Sequence, residues 1–221
     1  MPPIAFPLLA MLLLPEPPYQ ILALGDSYTI GESVAEGERW PNHLQQLLAK
    51  EKLHCDPPKI IAKTGWTTDE LQKAIEQDEL QPTYHLVTLL IGVNNQYRGR
   101  DAEQYRIELR ELIQFAIDKA EGNPNRVVLL SIPDWGVTPF AKGRDRSKIA
   151  SEIDVYNQVK KEEAERAKVQ FVDITDITRD IAGDKADLIA DDGLHPSGKM
   201  YLQWAQRVLP IARNSLSQPL R

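Results

Sequence analysis

Ser27 follows a short apolar run and the Gly25-Asp26 pair that ends it, in the stretch I-L-A-L-G-D-S-Y-T-I-G-E over residues 21–32. A serine hydroxyl is a poor nucleophile near neutral pH unless an imidazole takes its proton. The imidazole works best when an acid fixes its tautomer and stabilises its charged form. Residues 191–196, D-D-G-L-H-P, supply both groups from one loop. Asp192 and His195 are three residues apart, with Gly193 to turn the backbone between them and Pro196 to stiffen the exit. That spacing favours Asp192 over Asp191 as the acid. The oxyanion formed when a serine attacks an acyl carbon needs hydrogen-bond donors, and the backbone N–H groups of Ser27 and Gly65 with the side-chain amide of Asn94 can supply three. Each residue also has a plainer use. Asp26 or Ser27 can cap a helix, Asp191 and Asp192 can form a solvated acidic turn, and Asn94 and Asn95 can shape a turn.

The elements around these residues place them together. Residues 21–24 read as a strand buried on both faces. Trp40, Leu44, Leu47 and Leu48 then keep a helical spacing, with Pro41 in the first turn. Residues 59–62 (K-I-I-A) are a short second strand, and Thr67 with Glu70 forms a capping box that opens a helix carrying Leu71, Ala74 and Ile75 on one face. Residues 84–91 (Y-H-L-V-T-L-L-I) are the strongest strand and end in G-V-N-N. A helix over 102–121 stops at Gly122-Asn123-Pro124, residues 127–132 give the fourth strand, and residues 133–148 form a long loop. A charged helix runs from there to about residue 168, residues 170–174 give the fifth strand, and a second long loop spans 175–196. The closing helix buries Tyr201, Trp204, Ala205, Val208 and Ala212.

Strands alternating with helices predict an α/β fold: a single-domain, three-layer α/β/α sandwich around a five-stranded parallel sheet in the flavodoxin-like order 2-1-3-4-5. Ser27, Gly65, Asn94 and the Asp192/His195 pair all fall on loops at the carboxyl edge of that sheet, where open α/β sheets bind their ligands.

The chain has 221 residues, within reach of one domain. A net charge of −6 without a basic stripe argues against nucleic acid or anionic membrane as the main partner. The single cysteine, Cys55, excludes internal disulfides and cysteine-cluster metal sites, and His54-Cys55 lacks the further ligands zinc needs. Residues 1–18 are rich in proline and leucine and carry no Lys or Arg. They read as an apolar arm or a signal remnant ahead of a domain over 19–221. A basic start, a small-residue cleavage site and the roughly 20 apolar residues of a membrane span are all missing. The expectation is therefore no integral membrane span, with a cytoplasmic site favoured over export.

Taken together, Gly25-Asp26-Ser27, Gly65, Gly92-Val93-Asn94 and Asp192-Gly193-Leu194-His195 resemble the SGNH hydrolases, the branch of the GDSL esterase and lipase family named after its Ser, Gly, Asn and His. The blocks span almost the whole chain. The resemblance implies catalytic Ser27, Asp192 and His195, an oxyanion hole of Ser27, Gly65 and Asn94, and hydrolysis of a small-molecule carboxylic ester through an acyl-serine without cofactor or metal. O-acetylated sugars, lysophospholipids and thioesters are the substrate classes it leaves open. One position departs from the pattern: Asn95 stands where the family usually has Asp, which keeps an acceptor oxygen and loses the charge. The other histidines, His43, His54 and His85, read as structural. Trp66, Tyr97, Trp135 and Phe140 are candidate walls of an acyl pocket, and Arg144, Arg146 and Lys148 read as a solvated loop face. A flavodoxin-like flavin-binding protein is the alternative, with Ser27, Thr29 and Ser33 cradling a phosphate and Trp66 or Tyr97 stacking on the ring. It leaves His195 without a role.

Overall fold

The computed structural model describes residues 17–181 and 186–217. The apolar stretch 1–18 lies outside the described residues but for its last two positions. Five parallel strands form one sheet in the order β2-β1-β3-β4-β5, the predicted one. They are β1 (Ile21–Gly25), β2 (Lys59–Ala62), β3 (Leu86–Leu90), β4 (Val127–Leu130) and β5 (Gln170–Val172). β1 lies between β2 and β3, in register Leu24↔Ile61 and Leu24↔Leu89. Every residue of β1, β3 and β4 is buried, which is why these segments read as continuous apolar runs instead of alternating ones. Leu22, Leu24, Leu86 and Leu89 are completely buried, each contributing roughly 1.5–3 kcal/mol relative to exposure.

Between the strands run α1 (Ser27–Ile30), α2 (Trp40–Lys50), α3 (Thr68–Gln77), α4 (Val93–Tyr97), α5 (Ala102–Lys119), α6 (Arg146–Ala167), α7 (Thr175–Arg179) and α8 (Gly198–Leu216). α2 packs on α8, α3 packs on α5, and α5 packs on α6, so helices cover both faces of the sheet. The apolar faces predicted for α2 and α8 are the buried ones, with Trp40, Leu44, Tyr201 and Trp204 at zero exposure. The Glu70 carboxylate accepts the Thr67 N–H at 2.9 Å, as the predicted capping box requires at the start of α3.

The structure differs from the sequence expectation mainly at the carboxyl edge. Residues 131–132 and 173–174 lie past the ends of the strands: Ser131 N–H still reaches Val172 O at 2.9 Å, but beyond it side chains take over, Asn157 Oδ1 accepting the Ile132 N–H at 2.7 Å and Ser131 Oγ accepting the Ile174 N–H at 2.8 Å. The loop expected over 133–148 contains two 3₁₀ turns and ends early, because Asp145 caps α6 by accepting the Lys148 N–H at 3.0 Å. Arg146 and Lys148 are therefore helical. The short helices α1, α4 and α7 were not expected, and each begins within three residues of the end of a strand.

Candidate active site

β1 delivers Ser27 to the carboxyl edge, and Asp26 decides how it arrives. Asp26 is the N-cap of α1, its Oδ1 accepting the Tyr28 N–H at 3.0 Å. The capping role thus belongs to Asp26, and the Ser27 hydroxyl is left for another partner. That partner is His195: its Nε2 lies 2.9 Å from Ser27 Oγ, although 168 residues separate the two in sequence. His195 Nδ1 lies 2.6 Å from Asp192 Oδ2. Ser27 and His195 are both buried, and the imidazole packs against Tyr28 with ring centroids 5.2 Å apart.

The acid is fixed by its own loop. Asp192 Oδ1 accepts the backbone N–H groups of Leu194 at 2.8 Å and His195 at 2.9 Å, which folds D-G-L-H into a tight turn with Gly193 at φ +72. Ser33 Oγ donates to Asp192 Oδ2 at 2.7 Å. Burial acts to raise the Asp192 carboxyl, but the bonds from His195, from the two N–H groups and from Ser33 outweigh it and hold the carboxyl at about 2. Ionised at neutral pH, Asp192 can only accept. The hydrogen between the pair therefore sits on Nδ1, and in the neutral form of the ring Nε2 then faces Ser27 as a lone pair able to take a proton. The acid that meets His195 is thus Asp192, as its spacing predicts, and not Asp191.

The three expected oxyanion donors come from three different loops. Among the described residues no acceptor takes the Ser27 N–H, one of the free donors at the start of α1. The Gly65 N–H is likewise without an acceptor among them. Gly65 adopts φ +87, and a Cβ there would meet nothing nearer than Arg98 Nη2 at 3.7 Å. What requires glycine is the left-handed backbone, not a lack of room. Asn94 Nδ2 donates to Trp66 O at 2.9 Å, which uses one of its two amide hydrogens and leaves the other for the cleft it lines. A second link joins the same loops. Arg98, at the end of α4, donates through Nη2 to Gly65 O at 2.6 Å and pairs through Nη1 with Glu70 at 3.3 Å. Asn95 is fully buried, and its Oδ1 still accepts a hydrogen bond, from Thr68 N–H at 3.1 Å.

Ser27, Asn94 and His195 open onto a cavity of about 170 Å³ whose walls include Tyr97, Trp135, Phe140 and Leu194. Trp66, the fourth expected wall residue, is not part of that lining. Trp135 is held by an Nε1–H bond to Gln96 Oε1 at 2.8 Å, and Phe140 N–H donates to Gly193 O at 2.9 Å, tying the cleft wall to the histidine loop. Arg144 is an exposed loop residue, as expected, and its guanidinium carbon also lies 5.3 Å from the ring centroids of Tyr97, Trp135 and Phe140. The hydroxyls of the flavin reading do not converge. Ser27 faces His195, Ser33 faces Asp192, and Thr29 is completely buried.

His85 Nδ1 accepts the Gln20 N–H at 2.9 Å and His43 Nε2 lies 3.2 Å from Gly198 O, so both hold backbone outside the cleft. Among the described residues no group of three or more His, Cys, Asp or Glu could hold a metal ion, and no helix is long and apolar enough to cross a membrane. Sequence reasoning missed Ser33 and Arg98 as supports of the site. Neither has a motif, since Ser33 meets an acid 159 residues away.

Residues 23–202 match the model of the GDSL-like Lipase/Acylhydrolase family. No curated protein matches the chain. Solved structures similar to it include TesA, at 21% identity and TM-score 0.69 over 89% of this chain and 99% of the other. A lipase/acylhydrolase from Enterococcus faecalis is 17% identical at TM-score 0.67, over 92% and 100% of the two chains. A variant of Axe2, an acetyl xylan esterase from Geobacillus stearothermophilus, is 20% identical at TM-score 0.66, over 92% and 97%.

Proposed function

The chain belongs to the GDSL-like lipase/acylhydrolase family, and from that premise we propose that it hydrolyses carboxylic esters with short acyl groups through a covalent acyl-serine on Ser27. The observation that carries the reading is the continuous contact Ser27 Oγ to His195 Nε2 at 2.9 Å and His195 Nδ1 to Asp192 Oδ2 at 2.6 Å.

In this reading Ser27 Oγ attacks the ester carbonyl as His195 Nε2 takes its proton, and ionised Asp192 stabilises the resulting imidazolium through Nδ1–H. The carbonyl oxygen, now an oxyanion, lies among the N–H groups of Ser27 and Gly65 and the second amide hydrogen of Asn94. These donors strengthen as charge develops, so they act on the transition state more than on the bound ester. Collapse of the tetrahedral intermediate breaks the C–O bond, and the imidazolium returns the proton to the leaving alcohol. Water then repeats the sequence on the acyl-serine and regenerates Ser27.

The cavity size supports the acyl preference. A space of about 170 Å³ is close to the roughly 150 Å³ apolar cavity that accepts one benzene. That suits an acyl group of a few carbons, and it favours small O-acyl esters over long-chain lysophospholipids.

Turnover of nitrophenyl acetate and nitrophenyl palmitate by the wild type and Ser27→Ala, with circular dichroism on both, tests the proposal. The wild type should hydrolyse the acetate much faster than the palmitate, and a folded Ser27→Ala should hydrolyse neither. A folded, active Ser27→Ala would remove Ser27 as the nucleophile, and preference for the palmitate would refute the short acyl site.

A further inference from the structure

Under the cleft, Asn95 belongs to a hydrogen-bond chain that the ester reaction does not use. Both ends of its amide engage one residue: Oδ1 accepts the Thr68 N–H at 3.1 Å, and Nδ2 donates to Thr68 Oγ1 at 2.6 Å. Asn95 and Thr68 are completely buried. The directions of these bonds follow by elimination. A backbone N–H can only donate, so the amide oxygen must face it. The amide N–H then faces the threonine hydroxyl, which accepts there and has its own single hydrogen to place. That hydrogen goes to the Glu108 carboxylate on α5.

An aspartate at position 95 would put an acceptor where this chain needs a donor. Two carboxylates would then compete for one hydroxyl hydrogen in a buried site, and one lone pair would go unmatched. Glu108 therefore makes asparagine the fitting residue at a position where the family usually has aspartate.

The chain of bonds reaches the chemistry through α4. Asn94 and Asn95 are adjacent on α4, Asn94 holds Trp66 O, and Asn95 holds the first residue of α3, only three positions after Gly65. The Asn95 bonds thus fix the helix that carries one oxyanion donor against the loop that carries another. We propose that Asn95 is a positioning residue for the oxyanion hole and that its identity as asparagine is set by Glu108 through the Thr68 hydroxyl, an inference that rests on the ester-hydrolase reading above.

The test is a four-protein cycle of wild type, Asn95→Asp, Glu108→Gln and the double variant, each measured for kcat and KM with nitrophenyl acetate and for thermal midpoint. Asn95→Asp should lose kcat by roughly tenfold or more, the scale of one unmatched buried hydrogen bond, with KM little changed. Glu108→Gln alone should stay near the wild type, because a glutamine oxygen can still accept from Thr68. In the double variant the glutamine amide introduced at position 108 can donate to Thr68, and the threonine can donate to the new carboxylate, so most of kcat and of the midpoint should return. A merely structural role would not give a loss confined to kcat. Wild-type kcat in Asn95→Asp, or no recovery in the double variant, overturns the inference. If Asn95→Asp fails to fold, a folded and active double variant upholds it and an unfolded one overturns it. Lack of turnover by the wild type would instead sink the ester-hydrolase reading, and the positioning role with it.

Discussion

Residues with a chemical type and a local partner were readable from sequence: Asp192 and His195 share one loop, and Ser27 sits where an apolar run stops. The residues that support them were not. Ser33 reaches Asp192 from a left-handed backbone at φ 64, and Arg98 reaches Gly65 from another loop, so no spacing announces either. Asn94 was legible as a donor, but its division of labour was not. One amide hydrogen holds Trp66 O and the other faces the cleft. Asn94→Ala should therefore lower kcat by about a hundredfold to a thousandfold with little change in KM, read from steady-state kinetics on nitrophenyl acetate. A change confined to KM would make Asn94 a substrate-binding residue. Asp192→Asn should cost more, on the order of ten-thousandfold in kcat, because the imidazole loses both its tautomer and its counter-charge. Ser33→Ala removes only one of the four bonds to the same carboxylate and should cost less than about tenfold, the scale of one partly exposed hydrogen bond. Equal losses in these two variants would show that the orientation of Asp192, and not its charge, is what matters.

The sheet and the long helices were legible at the scale of elements because burial on both faces leaves unbroken apolar runs and one-sided burial leaves a helical period. Helices of four or five residues leave neither pattern, and α1 and α4, which carry Ser27 and Asn94, are of that size. Lys160 was illegible for a different reason. It lies in a charged helix, yet it is completely buried, with Nζ donating to Ile91 O and Leu130 O at 2.8 Å each, just past β3 and at the end of β4. Burial pushes the Lys160 ammonium down and the nearby Asp26 carboxyl up, and the attraction between them opposes both shifts. The two carbonyls belong to the segments that lead to Asn94 and Trp135, so this lysine ties the two sides of the cleft together. Lys160→Met keeps the volume and removes the donors. It should lower unfolding stability by about 1–3 kcal/mol in urea titration, the cost of losing two buried hydrogen bonds, with Ile91 O keeping only the longer one from the Tyr105 hydroxyl at 3.3 Å. A variant as stable as the wild type would mean that desolvating the ammonium costs as much as its bonds return.

The whole molecule feels acid through carboxylates that folding holds ionised. Asp192 is held at about 2 within the site, and Glu163 is held at about 2 between α5 and α6. At Glu163 the hydrogen bond from Arg110 is the largest influence, burial opposes it, and Arg166 adds to it. An ordinary carboxylate titrates near 4, so in the interval from about pH 4 to about pH 2 the unfolded chain binds protons that the folded chain refuses. Stability therefore rises with pH through that interval. The contribution of each group is complete above about pH 5 and is lost as pH falls through about 4 toward about 2. Asp26 has the opposite sign, because burial raises its carboxyl and the folded chain holds that proton more tightly. It cannot be the source of acid unfolding. Thermal midpoints of the wild type, Glu163→Gln and Asp192→Asn between about pH 2 and about pH 6 separate the contributions. Both variants should fall below the wild type at about pH 6 and converge with it at about pH 2, where the wild-type carboxylates are themselves becoming protonated. Glu163→Gln should keep its ester hydrolysis while losing acid sensitivity, since Glu163 lies away from the cleft, whereas Asp192→Asn should lose both. Slopes identical to the wild type in both variants would place the acid sensitivity in other groups, with Asp69, held at about 2 by Thr67, Arg100 and Lys73 against the opposing effect of burial, the next to change.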